Sequence, residues 1–214
     1  MPLAAHAAAG TVAGCGALPS RVGHDSPVDA HTALAEARAA LAAAAGRLTA
    51  AGAVPEQLVV TVPAHRALGF IPRRETFRRT GEGFVLGALL VTSSGDVLAP
   101  GRIARASRQV LPGHQSESAR ARRELRQRLL DARLPEGTTV VIDSRPVPLD
   151  DPEAMAAERG PLVLREQAGA TAVLVRWMPT AADDTLRPLD AYLAERLDLA
   201  LGTLTAARAE SEHP

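Results

Sequence analysis

The run Phe84-Val85-Leu86-Gly87-Ala88-Leu89-Leu90-Val91 constrains this chain more than any other stretch, because it contains no polar side chain and no alternation. A strand with one wet face would alternate, so an unbroken apolar run of this length predicts a strand covered on both faces. Ser94-Gly95-Asp96 supplies turn chemistry. Val97 to Ala106 is then expected to return antiparallel, interrupted by Arg102 and Arg105. The rest of the chain must provide the two covering layers.

Its 214 residues suffice for one substantial domain. The expected bounds are an Ala/Gly-rich tail over 1–24, a domain over 25–208 and a frayed end over 209–214. Aromatic residues are limited to Phe70, Phe77, Phe84, Trp177 and Tyr192, so the core must be built from Leu, Val and Ala. Asp25-Ser26-Pro27 reads as the start of the first helix. Leu34, Leu41 and Leu48, with Ala37, Ala44 and Ala51 between them, form a seam that admits close approach by another helix or a sheet. Gly52 and Pro55 end it.

Leu58 to Val62 reads as a short strand, and Ala64 to Glu82 as an irregular loop broken by Gly69, Pro72 and Gly81. A helix is expected over 118–134, capped by Ser116, with Ala121, Leu125, Leu129 and Ala132 buried and Glu124 paired to Arg128. Thr138 to Asp143 is β-branched and strand-like. Asp150-Asp151-Pro152 opens a short helix to Glu158. Pro161–Arg165 and Ala170–Trp177 form a second hairpin. Asp183-Asp184-Thr185 reads as the cap of a final helix with Leu189, Leu193, Leu197, Ala200 and Leu204 inward. The pattern predicts an α+β domain: a largely antiparallel sheet of about five strands, from two hairpins and a lone strand, packed by three main helices.

All 24 basic residues are arginine; the chain has no lysine and no asparagine. This excludes a Walker A loop, a Schiff-base lysine and the Ser-x-x-Lys nucleophile pair, since arginine stays protonated and cannot act as the base. Net charge is zero, but residues 62–133 hold fourteen arginines against six acids, and 134–214 hold seven against fourteen. Such asymmetry points to an anionic partner or to halves that face each other.

The single Cys15 excludes an internal disulfide. Val12-Ala13-Gly14-Cys15 has lipobox character but no basic residue before it, so a lipoprotein is not expected. With no apolar run long enough to cross a bilayer, the expected compartment is the cytoplasm, with no membrane contact.

Three groups of residues are candidates for chemistry. Arg73, Arg74, Arg78 and Arg79 cluster around Phe77, and arginine clusters bind phosphate or carboxylate bidentately. Arg176, beside Trp177, is a further anion-binding candidate. His114 and Ser116 stand two apart on the approach to the 118–134 helix, with Asp143 at a strand end as the natural orienting acid for a nucleophile and base. No Gly-x-Ser-x-Gly elbow accompanies them. The histidines and lone cysteine show no zinc spacing, and no metal or cofactor is called for.

Phe84–Ala106, Gly113-His114-Gln115-Ser116, Val175-Arg176-Trp177-Met178-Pro179-Thr180 and Leu189-Asp190-Ala191-Tyr192 together resemble an uncharacterised actinobacterial family, some of whose members carry the label glutaminase. The resemblance spans Val54 to Gly202 and implies amide hydrolysis of glutamine. Serine-dependent glutaminases use a Ser-x-x-Lys pair and amidotransferase types use a cysteine on a strand-helix elbow, so neither centre maps onto this chain. The residues themselves favour a non-catalytic domain that presents the Arg73–Arg79 segment and the 118–134 helix to an acidic protein or small anion, with self-association open. Amide hydrolysis through His114, Ser116 and Asp143 is the alternative, and phosphate-only nucleic-acid binding the weaker one, since stacking aromatics are few.

Overall fold

The computed structural model describes residues 29–67, 70–108, 116–167, 169–180 and 182–211. The helices are α1 (Ala30–Ala50), α2 (Glu117–Asp131), α3 (Pro152–Ala157) and α4 (Leu189–Ser211). The strands are β1 (Glu56–Val62), β2 (His65–Ala67), β3 (Ile71–Arg73), β4 (Thr76–Leu86), β5 (Leu89–Thr92), β6 (Val97–Ala99), β7 (Arg102–Arg105), β8 (Thr139–Ile142), β9 (Arg145–Pro146), β10 (Leu162–Gln167), β11 (Ala170–Val175) and β12 (Arg187–Pro188). The architecture is α+β. The single five-strand sheet is replaced by a seven-stranded sheet, a three-stranded sheet (β10-β11-β12) and a two-stranded one (β2-β3).

The large sheet runs in the order β7-β8-β1-β4-β5-β6-β9. Its two ends belong to the same segments of chain. Only Pro100-Gly101 separates β6 from β7, and only Asp143-Ser144 separates β8 from β9. Leu98 and Ala99 face Pro146 and Arg145, and past the gap Arg102 and Ile103 face Ile142 and Val141 in the same step. The segments 97–105 and 139–146 are thus two bent strands paired along their length, and the sheet closes into a ring of five. Its neighbours are antiparallel except β1 and β8, which run parallel. Five strands laid up and down in order can close only this way, because the first and last point in the same direction. Gly101 sits at the closure, where an added Cβ would lie 2.0 Å from the Ile142 carbonyl oxygen.

Closure explains the apolar run that organises the sequence. Leu58, Val85, Leu90, Leu98 and Val141, one from each strand of the ring, pack together as its interior. The residues between them point out. Phe84, Leu86, Leu89, Val91 and Val97 meet α1 and α4, while Val59, Phe77, Val140 and Ile142 meet Leu125 and Leu129 of α2. The run is covered on both faces, as expected, but it is two strands and not one. Gly87, at φ 67°, turns the chain between β4 and β5. Tyr192 of α4 holds that turn: its hydroxyl donates to the Leu86 carbonyl (3.1 Å) and accepts from the Ala88 N–H (2.8 Å). An added Cβ on Gly87 would lie 2.2 Å from that hydroxyl.

The α1 seam buries Leu34, Ala37, Leu41, Ala44 and Leu48 against α4, the barrel wall and the three-stranded sheet. Asp29 caps the helix, accepting from the Thr32 N–H at 2.8 Å. Asp25-Ser26-Pro27, the expected start, lies outside the described residues, as do 1–24 with Cys15.

Other expectations need correction. Residues 64–82 are not an irregular loop. Val62 faces Thr76 and His65 faces Arg73 in one continuous step, so β2–β3 extends the β1–β4 pair as a ribbon. Sequence breakers misled here because Gly81 and Gly83 lie inside β4, beside a bulge where Arg79 and Gly81 face successive residues of β1. Asp183-Asp184-Thr185 forms a separate 3-10 turn, and α4 begins only after β12; the Asp183 carboxylate serves arginines instead of a helix end. Ala121 is exposed. Arg128 pairs with Glu75 and stacks over Phe77 at 5.7 Å instead of pairing with Glu124. The final helix runs to Ser211, into the segment expected to fray. Among the described residues no helix is long and apolar enough to cross a membrane.

Candidate anion-binding groove

Among the described residues β7 pairs with β8 on one side only. The bend at Pro100-Gly101 carries it away from β5, which pairs with the chain no further than Leu98. A groove of about 320 Å³ lies along β7, lined by Arg102, Ile103, Ala104 and Arg105 together with Arg122, Leu125 and Arg126 of α2. Residues 102 to 105 alternate in side-chain direction. All four nonetheless border the groove, as does Thr139, which faces Arg105 across the β7–β8 pair.

The register of α2 on the barrel decides which arginines reach it. Leu125 and Leu129 seat the helix on Val59, Val140 and Ile142, and Arg128 locks it through Glu75 and Phe77. Arg122 and Arg126, four residues apart, then share the groove side. Arg122 Nε donates to the Ser118 carbonyl at 3.2 Å, and Arg105 Nε to the Gly137 carbonyl at 2.9 Å, which orients both guanidinium groups. Among the described residues no carboxylate lines the groove, and none of the four arginines forms an ion pair. Four permanent positive charges at one edge create a field that favours an anion, and each guanidinium can meet a carboxylate or phosphate bidentately.

The residues singled out from sequence fare differently. Arg73, Arg74, Arg78 and Arg79 are exposed along the ribbon. Arg73 ends β3 and Arg74 follows it, while Arg78 and Arg79 are neighbours in β4 that point to opposite faces, so the four do not converge, and Arg79 pairs with Glu82. Arg176 is buried, at 6% exposure, and donates to Asp183 Oδ1 at 2.8 Å. Arg165 takes the other oxygen of that carboxylate. The hydrogen bond from Arg176, helped by the positive charge of Arg176, Arg165 and Arg159, holds the Asp183 carboxyl below the ordinary range against the opposing effect of desolvation. This arginine has a structural partner.

His114 lies outside the described residues. Ser116 stands before α2, hydrogen-bonded to the Ser118 hydroxyl at 3.0 Å, and its side chain makes no capping bond. Asp143, at φ 57°, gives one oxygen to the Thr61 N–H and the other to the Thr61 hydroxyl, both at 2.7 Å. It tethers β1 at the bend between β8 and β9. Asp143 lines a cavity of about 180 Å³ that also contains Thr61, Arg102 and Arg128 but not Ser116.

A larger cavity, about 920 Å³, opens near the barrel mouth beside Thr92, Ser94, Asp96 and Ser144. On one side of it Ser94 Oγ donates to Asp96 Oδ2 at 2.6 Å and bonds Thr92 Oγ1 at 2.8 Å, while Ser144 Oγ has no hydrogen-bond partner among the described residues. Among the described residues no cluster of His, Cys, Asp and Glu could hold a metal ion.

Sequence reading anticipated the basic face of α2 and noted Arg102 and Arg105 within a strand. What it missed is that the two meet. No spacing rule joins residues 102–105 to 122–126 across the chain between them; only the seat of α2 on the barrel does. Comparison with known proteins gives no match to any family model, curated protein or solved structure.

Proposed function

We propose that this protein is a non-catalytic binding module that takes an acidic partner, protein or small anion, in the groove between β7 and α2. One observation carries the reading: Arg102, Arg105, Arg122 and Arg126 line a single groove with no carboxylate among them. Elsewhere in the fold, arginines that serve structure have found acids: Arg176 and Arg165 with Asp183, Arg187 with Glu195, Arg128 with Glu75. Four that have not line one groove, where their like charges repel weakly and a bound anion would relieve that repulsion.

Titration calorimetry with polyglutamate and with citrate tests it. Binding is expected for the wild type and should weaken steeply with salt. Replacing Arg102 and Arg126 together by alanine should reduce it about tenfold or more, the scale of losing two charge-assisted contacts. Equal binding by the wild type and this double variant would overturn the reading.

A further inference from the structure

We infer that the occupant of the groove is an extended acidic peptide that adds to the open edge of β7 as a further strand. This rests on the anion-binding reading above and adds to it the shape of the partner and the groups that recognise it.

The argument comes from the backbone. The Ala106 N–H donates to the Thr138 carbonyl at 2.9 Å, toward β8. Amides along a strand alternate in direction, so Ala104 and Arg102 also turn toward β8, while Ile103 and Arg105 turn their N–H and C=O groups to the other edge. No strand among the described residues pairs with that edge. An edge strand with free amides is a template for strand addition, and proteins usually blunt such edges. Here Arg102 and Arg105 of the strand itself and Arg122 and Arg126 of α2 line the groove against it, which selects for acidic side chains. Ile103, a large apolar residue 52% exposed at this edge, offers a contact for an apolar side chain of the partner. An incoming strand alternating acidic and apolar residues would meet the two kinds of site on its two faces. A compact anion such as citrate would satisfy the arginines but leave the amides of Ile103 and Arg105 to water.

The test uses the whole chain and three ten-residue peptides of alternating Glu and Val: the parent and two N-methylated forms, each methylated on one alternate set of amides. Strand addition uses only the amides on one edge. One methylated form should therefore bind about tenfold or more weakly, as expected for several lost backbone bonds, and the other should bind like the parent. Hydrogen exchange at Ile103 and Arg105 should slow when the parent peptide binds, and not when citrate binds. If both methylated forms bind like the parent, and binding still falls in the Arg102→Ala, Arg126→Ala variant, strand addition is wrong and the anion reading stands. If neither peptide nor citrate binds, both fall.

Discussion

The β7–α2 groove and the Arg165–Arg176–Asp183 cluster use the same side chain to opposite ends. In the cluster, one carboxylate gathers guanidinium groups, and Arg176 is buried because its charge is answered within the fold. In the groove, Arg102, Arg105, Arg122 and Arg126 stand together without an acid in the lining. Burying a charge without a partner costs several kcal/mol, so a buried arginine must be paired, whereas exposed ones can wait for a ligand. Equal arginine content therefore carries different meaning depending on where the nearest carboxylate falls.

That contrast can be broken most directly at Arg176. Arg176→Ala should destabilise the fold by about 2–3 kcal/mol, since it removes buried packing and the main hydrogen bond to Asp183, leaving that carboxylate with Arg165 and Arg159. Urea unfolding followed by circular dichroism measures it, and a loss below about 0.5 kcal/mol, typical of surface sites, would make Arg176 no more structural than the groove arginines. The same substitution should leave polyglutamate affinity unchanged.

Charge reversal comes next in size. Arg102→Glu with Arg126→Glu should abolish the affinity that the alanine pair only weakens, a loss at least about 1.4 kcal/mol larger than that of the alanine pair, while urea midpoints stay near wild type. A large loss of stability instead would show that these arginines support the barrel.

Acid separates the regions further. The Asp183 carboxyl is held below its ordinary range in the folded chain, chiefly by the Arg176 hydrogen bond. Its contribution is therefore complete above the unfolded-state carboxyl value of about 3.9 and is lost as pH falls through the lower folded value. Unfolding midpoints recorded down the acid limb should fall, and Asp183→Asn should flatten that fall. The groove contains no titrating group in this range, so Arg102→Ala should leave the limb unchanged.

The smallest expected signal is a null one. Glutamine incubated with the purified protein should release no ammonia above a buffer blank. Release that disappears in His114→Ala would restore the hydrolase reading and make the groove secondary.

Much of the fold was legible because local physics dictated it. The Leu34–Leu48 seam, the Asp151-Pro152 helix start and the β10–β11 hairpin each announce themselves within a few residues. The errors share one cause. Gly81 and Gly83 read as breakers, yet they occupy a strand beside a bulge, and Asp183 reads as a helix cap although its acid serves Arg176, which comes seven residues earlier. The candidate site was legible only in halves, as a basic helix face and as two arginines in a strand.

Alternation, capping and apolar periodicity act over a few residues, so the sequence alone determined the helices, most strands and the excess of arginine. Tertiary structure decided what those elements enclose. The turn at Gly87, held by Tyr192, made one apolar run into two strands, and ring closure at Gly101 gave those strands an inside and an outside. The seating of α2 on that ring brought four distant arginines to one strand edge. Such proximity depends on how buried surfaces fit across long stretches of chain, and no local pattern encodes it.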